Sequence, residues 1–169
     1  MSTATMDRPR EAAAAQDISG FLTFRLGKEE YGIDILQVQE MRSYEEPTRM
    51  VGTPEFIKGV INLRGAIVPI IDLRIKLGCD KAEYDDFTVV IFLHIASATV
   101  GVVVDAVADV TQLAQEQIKP APHFEGQLDA TFVRGIASVG QRMLILINMQ
   151  ALLSASELKV VEAVGAMAA

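Results

Sequence analysis

The chain is poor in the residues on which most site chemistry depends. It has one cysteine, two histidines and no tryptophan among 169 residues. Cys79 has no partner for an internal disulfide, and a lone thiol fits a reduced, cytoplasmic setting. No base stands near it in sequence, so it reads as a bystander and not a nucleophile. His94 sits in an apolar strand and His123 follows two prolines; neither has a second ligand at metal spacing. Aromatic residues make up only 6%, which leaves no stacking platform for bases. Basic clusters are missing and the net charge is −7, which argues against nucleic acid or an anionic membrane as the main partner. No apolar run reaches the roughly 18 residues of a membrane helix. Met1 to Asp17 contains no apolar core of a secretory signal. A glycine-rich phosphate loop and a G-x-S-x-G elbow are both missing. Glu83, Asp85 and Asp86 fall in a polar loop and read as solvated. The sequence therefore offers no catalytic residue, no cofactor site and no metal site.

What is present is apolar and β-branched. Half the residues are hydrophobic. A chain of this mass buries about 70% of its unfolded surface, enough for a core without disulfide or metal. Met1 to Ser19 is Ala-rich without lasting periodicity and reads as a flexible tail. Phe21–Leu26 and Tyr31–Ile35 alternate as strands around a turn at residues 27–30. From Leu36 to Tyr44 the spacing of Leu36, Val38 and Met41 predicts a short helix, or a strand passing into one, ended by Pro47. Thr48–Val51 reads as a short strand, followed by one helical turn capped by Thr53 with Pro54 in its first position. Phe87–Ile95 and Thr99–Val107 make the clearest hairpin by composition, and Asp109–Leu113 continues as a strand. Ala114–Ile118 is a helical turn and Pro120–Pro122 an extended loop. Phe132–Val139 and Met143–Asn148 form a last hairpin, followed by a short helix over Met149–Leu153. Ser154 with Glu157 makes a capping box for a final helix to about Ala166. About ten short strands with few helices argue for an all-β barrel architecture.

The centre of the chain is Phe56 to Leu77. Gly59-Val60-Ile61 and Ala66-Ile67-Val68-Pro69-Ile70-Ile71 are β-branched runs either side of Asn62-Leu63-Arg64-Gly65. They predict two strands and a tight turn, with Gly65 ending a type I turn or taking a positive φ. Pro69 places its strand at an edge or beside a bulge. Asp72 caps a short helix that Gly78 ends. Arg64 then stands at the tip of a rigid apolar hairpin. Taken alone, it holds a local carboxylate or a helix end, or it marks a docking surface.

Four segments resemble the CheW family of chemotaxis coupling proteins. They are Tyr31-Gly32-Ile33-Asp34-Ile35 with Val38 and Glu40; Gly59 to Gly65 continuing through Ile67-Val68-Pro69-Ile70 and Asp72-Leu73; Gly101 to Asp105 with Val107, Asp109 and Val110; and Met143 to Asn148. The likeness covers roughly Gly20 to Ser156. It implies two linked five-stranded SH3-like β-barrels with short helices and a C-terminal helix. The implied division is a flexible tail at 1–19, a two-lobed CheW-like domain at 20–156, and a helix and tail at 157–169. It implies a non-enzymatic, cytoplasmic adaptor joining the tips of chemoreceptors to the regulatory domain of the histidine kinase CheA. With no kinase, phosphotransfer or receiver segment in the sequence, a stand-alone coupler is expected. Arg64 and Glu40 match positions of the receptor-binding region, and the expectation is that they meet across the lobe junction. Val38, Gly59 and Val110 match further receptor- or kinase-binding positions, although a buried valine or an obligatory glycine explains each equally well. Gly101 matches a family glycine but reads as close packing. A coupler for a pathway other than swimming is the alternative; a small β-barrel enzyme or ligand carrier using His94 or the acidic loop is the alternative from another class.

Overall fold

The computed structural model describes residues 18–53, 55–77, 83–95, 98–120, 132–153 and 155–166. Expectations that rest on Met1 to Asp17, Pro54, Gly78, Cys79, His123 or Ser154 fall outside the described residues. Among those described are eleven strands: β1 (Ile18–Leu26), β2 (Glu29–Asp34), β3 (Val38–Ser43), β4 (Ile57–Leu63), β5 (Ala66–Asp72), β6 (Val89–Ile95), β7 (Ala98–Val104), β8 (Ala106–Ala114), β9 (Ile118–Lys119), β10 (Val133–Val139) and β11 (Arg142–Ile147). Three short helices accompany them: α1 (Leu73–Lys76), α2 (Met149–Leu152) and α3 (Ala155–Gly165).

The strands form two sheets. The first lobe has the order β8-β1-β2-β11-β10-β9 and the second β3-β6-β7-β5-β4. The second has the five strands expected; the sixth strand of the first is the two-residue β9. The chain starts in the first lobe, builds all of the second, and returns through β8. Each sheet holds one parallel pairing, β2 with β11 and β5 with β7. β1 begins at Ile18, which pairs with Ala114, three residues before the expected Phe21.

The largest departure from the sequence reading is at residues 36–44. A 3₁₀ turn covers only Ile35–Gln37, capped by the Asp34 carboxylate, and β3 follows it. The helical spacing of Leu36, Val38 and Met41 was accidental: Leu36 is 89% exposed and Met41 46% exposed. Pairing with the apolar β6, from Val38–Leu93 to Ser43–Val89, outweighs the local pattern. Thr48 makes an isolated bridge to Val60 in place of a strand. Residues 51–53 hold turn and bend conformations, with no helix there among the described residues. β5 is an interior strand. Pro69 is tolerated in it because Val60, its partner in β4, sends both backbone groups to Thr48, and the β7 ladder begins only at Ile70. The pairing irregularity between Ile57 and Gly59 lies beside it.

Burial explains why β5, β6 and β7 read as continuous apolar runs. Ile71, Ile91, Leu93, Ile95, Val100, Val102 and Val104 face a core shared with Leu22, Phe24, Leu26 and Ile33 of the first lobe. Their alternates Val68, Ile70, Val90, Phe92 and Val103 fill the second lobe. Phe21, Leu113, Ala137, Leu144 and Leu146 fill the first. Gly101 lies on the inner face of the second lobe, where a Cβ would approach Ile70 Cδ1 to 2.6 Å, so close packing requires it. Val161 and Val164 of α3 are buried, and the helix packs on β5 and β7.

Ile91 is fully buried in the shared core. Truncation to alanine is expected to lower the unfolding free energy by about 2–5 kcal/mol, read by denaturant titration.

Candidate functional site

β3 and β4 are the two ends of the second sheet, and rolling the sheet into a barrel brings them together. The seam between them is closed at two points. At one, Thr48 and Val60 exchange hydrogen bonds of 2.9 and 2.8 Å. At the other, Arg64 Nη2 donates to Glu40 Oε2 at 2.8 Å. Between them the seam opens into a cavity of about 210 Å³, with Arg42 and Ser43 on one lip, Val60 to Asn62 on the other, and Ile70, Val90 and Phe92 beneath. Arg64 and Glu40 thus meet across this seam inside the second lobe, and not across the junction between lobes.

The turn that presents Arg64 is a two-residue loop closed by the pair Leu63–Ala66. Both of its residues have positive φ, 52° at Arg64 and 89° at Gly65, the signature of a type I′ turn; of the two expectations for Gly65 the positive φ holds, and the type I turn does not. Asn62 Oδ1 accepts from the Gly65 N–H at 2.7 Å and fixes the loop. Arg64 is the only non-glycine residue at positive φ among those described. Its side chain is 66% exposed. On β3, Glu40 Oε1 also lies 3.1 Å from Arg42 Nε, an ion pair without hydrogen-bond geometry. The Arg64 hydrogen bond, outweighing desolvation and helped by both positive charges, holds the Glu40 carboxyl below the ordinary glutamate range. The sequence reading does not single out Arg42, because the spacing of Leu36, Val38 and Met41 points to a short helix or a strand passing into one. A period of two from Glu40 to Arg42 puts both charged residues on one strand face, while the pairing irregularity between Val38 and Glu40 turns Val38 to the shared core.

The other expected positions lie elsewhere. Val38 is half-buried against the shared core. Gly59 is buried with φ 150°, and a Cβ there would come to 2.1 Å from the Thr48 carbonyl oxygen. Its place is thus a requirement of the barrel seam. Val110 is 51% exposed on β8, one of the two end strands of the first sheet. Of the residues weighed for chemistry, His94 is exposed near the end of β6. The Asp85 carboxylate accepts from the Phe87 N–H at 2.8 Å and caps its own loop.

A second polar cluster was not anticipated. Arg74 in α1 is 2% exposed and Asp72 is 0% exposed. Arg74 Nε and Nη2 grip the two oxygens of Asp72, each at 3.0 Å. Nη1 donates to Asp105 at 3.0 Å and to the Glu83 carbonyl. The Tyr84 hydroxyl donates to Asp72 at 2.7 Å, and the guanidinium lies 4.7 Å from the Tyr84 ring centre. Burial alone would weaken the guanidinium's charge, but bonds to Asp72 and Asp105 reverse this and raise its pKa. Burial, with the hydrogen bond to Asp72 next, raises the Tyr84 pKa, so its hydroxyl stays a donor. Asp72 was expected to cap α1, and it does so by accepting from the Arg74 N–H at 2.9 Å. Its carboxylate carries the buried pair as well, and nothing local in the sequence signals that.

The CheW-like domain family matches residues 20–157. The chain belongs to the CheW family. It is 54% identical to the chemotaxis protein CheW of Klebsiella aerogenes over 142 residues, 84% of this chain and 86% of that one. It is 39% identical to a probable chemotaxis protein CheW of Rhizobium etli over 136 residues, 80% and 88% of the two chains. The crystal structure of the scaffolding protein TtCheW from Thermoanaerobacter tengcongensis superposes with a TM-score of 0.76 at 35% identity, covering 82% of this chain and 94% of that one. Membership of the CheW family makes the chain a chemotaxis coupling adaptor, a scaffold and not an enzyme.

Two outcomes test the contrast between the clusters. Arg74→Leu leaves Asp72 buried without its counter-charge and is expected to lower stability by about 3–5 kcal/mol in denaturant titration. In Arg64→Ala, the Glu40 carboxyl titrates at higher pH than in the parent, measured by NMR. A depressed carboxylate pKa contributes stability above the unfolded pKa and loses it as pH falls through the folded one. The Arg64–Glu40 link is therefore intact at neutral pH and released in acid, below the ordinary glutamate range.

Proposed function

We propose that the surface around Arg64, Glu40 and Arg42 docks the cytoplasmic tip of a chemoreceptor, and that the chain also binds the regulatory domain of the histidine kinase CheA. The setting is the cytoplasm, with membrane contact only through receptors; no helix among the described residues is long and apolar enough to cross a bilayer. Val110, exposed on the end strand β8, belongs to a partner contact on the first lobe. Val38 and Gly59 act through the shape of the second lobe and not by touching a partner.

The observation that carries this reading is the conformation of Arg64. A type I′ turn chosen for folding alone favours asparagine, aspartate or glycine at its first central position. Arginine at φ 52° takes up a conformation that non-glycine residues seldom adopt, and it does so at the exposed tip of the hairpin. Glu40 then aims its guanidinium, which is a use in recognition, since exposed ion pairs add little stability.

The test is co-elution of the full chain with a receptor cytoplasmic fragment and, separately, with the kinase regulatory domain. Both complexes are expected. Arg64→Glu should abolish the receptor complex while the melting temperature moves by less than about 4 °C. Binding to neither partner contradicts the proposal, and a large fall in melting temperature assigns Arg64 to holding the fold.

A further inference from the structure

The shared core brings the two lobes together, but apolar contact is non-directional and does not by itself fix an angle between them. A directional connection exists where the chain returns from the second lobe to the first. Asp105 is the one residue between β7 and β8. Its Oδ1 accepts from Arg74 Nη1 at 3.0 Å, and its Oδ2 accepts from the Gly27 N–H at 2.7 Å. Its own N–H donates to the Arg25 carbonyl at 3.0 Å. Arg25 lies near the end of β1 and Gly27 opens the β1–β2 turn of the first lobe; Arg74 is anchored on Asp72 in the second. An unbroken chain of charge-assisted bonds therefore runs from Tyr84 through Asp72, Arg74 and Asp105 to Gly27.

We infer that Asp105 is a positioning residue that locks the orientation of the first lobe on the second, so that a change imposed on one lobe reaches the other. This rests on the adaptor function proposed above. Arg74 cannot serve as the adjustable member, because it is buried and its loss strands Asp72. Asp105 can. Its side chain is 34% exposed and lines an open cleft of about 280 Å³ with Arg74, Glu83, Asp85 and Thr88. Without its carboxylate, Arg74 keeps both bonds to Asp72 and the shared core stays closed, so the fold survives while the side-chain link that fixes the angle between lobes is lost.

The experiment uses Asp105→Asn in the full chain. The amide presents one acceptor oxygen, which the Arg74 cation retains, so its NH2 group faces the Gly27 N–H, donor against donor, and Gly27 loses its partner. The Gly27 amide is expected to exchange with solvent at least about tenfold faster. Binding of the receptor fragment and of the kinase domain, each measured alone, should stay within about threefold of the parent. Receptor control of kinase activity in the ternary assembly should fall at least about fivefold. Full receptor control alongside fast Gly27 exchange overturns the inference, as does unchanged Gly27 exchange. If Asp105→Asn does not fold, Asp105→Glu carries the test. Its longer arm keeps the charge beside Arg74 but displaces the Gly27 contact, and the same split between intact binding and weakened control is expected. Failure of the parent chain to bind either partner would instead count against the adaptor reading.

Discussion

The structure depends on one constraint: β5, β6 and β7 are buried on both faces. One face fills the second lobe and the other fills a core to which β1 and β2 also contribute. Antiparallel sheets with a solvated face alternate apolar and polar residues. These strands cannot, and their sequences are accordingly runs of valine and isoleucine. Splitting the lobes would expose Phe24, Leu26, Ile91 and Val102 together, at roughly 1.5–3 kcal/mol for each large side chain. Two barrels with independent cores would be expected to move as beads on a string; these share too much apolar surface to do so.

On that apolar frame the charged residues divide by depth. Arg74 and Asp72 are buried, bonded at every turn, and tied to the architecture. Arg64 and Arg42 stand at a seam in the barrel wall, open to water, with the partly exposed Glu40 between them. Desolvation decides what each cluster is for. Removing one partner of the buried pair leaves an uncompensated charge in the interior. Removing one partner of the exposed pair exchanges protein contacts for water. The exposed cluster is free to serve recognition because the fold does not rely on it. An arginine in a left-handed turn conformation is the local cost of placing a cation at that point.

The sequence disclosed the hairpins well, because β-branched runs and turn residues are local signals. It placed Arg64 at the tip of the β4–β5 turn, and composition alone suggested the β6–β7 hairpin. It misread β3, where Leu36, Val38 and Met41 fell at helical spacing by chance while the deciding influence was pairing with β6, some fifty residues on. It put Pro69 at an edge or beside a bulge: the strand is interior, and the irregularity between Ile57 and Gly59 lies beside it. A strand N–H serves a single neighbour, and proline is tolerated here because Val60 turns its backbone groups to Thr48 and the β7 ladder begins only at Ile70. The Glu40–Arg64 contact was anticipated only through likeness to a family, and its location at the barrel seam followed from closure of the sheet, which has no local signature. The Arg74 cluster was invisible for the same reason: Asp72, Tyr84 and Asp105 converge only after folding.

The central claim is that the two lobes form one cooperative body. Native-state amide hydrogen exchange of the free chain, followed as denaturant is raised, tests it most directly. The account predicts that amides of β1 and β2 and amides of β6 and β7 merge into a single opening of the same free energy and the same denaturant dependence. A separate, lower-energy opening of β1, β2 and β8, with β6 and β7 still protected, would contradict it.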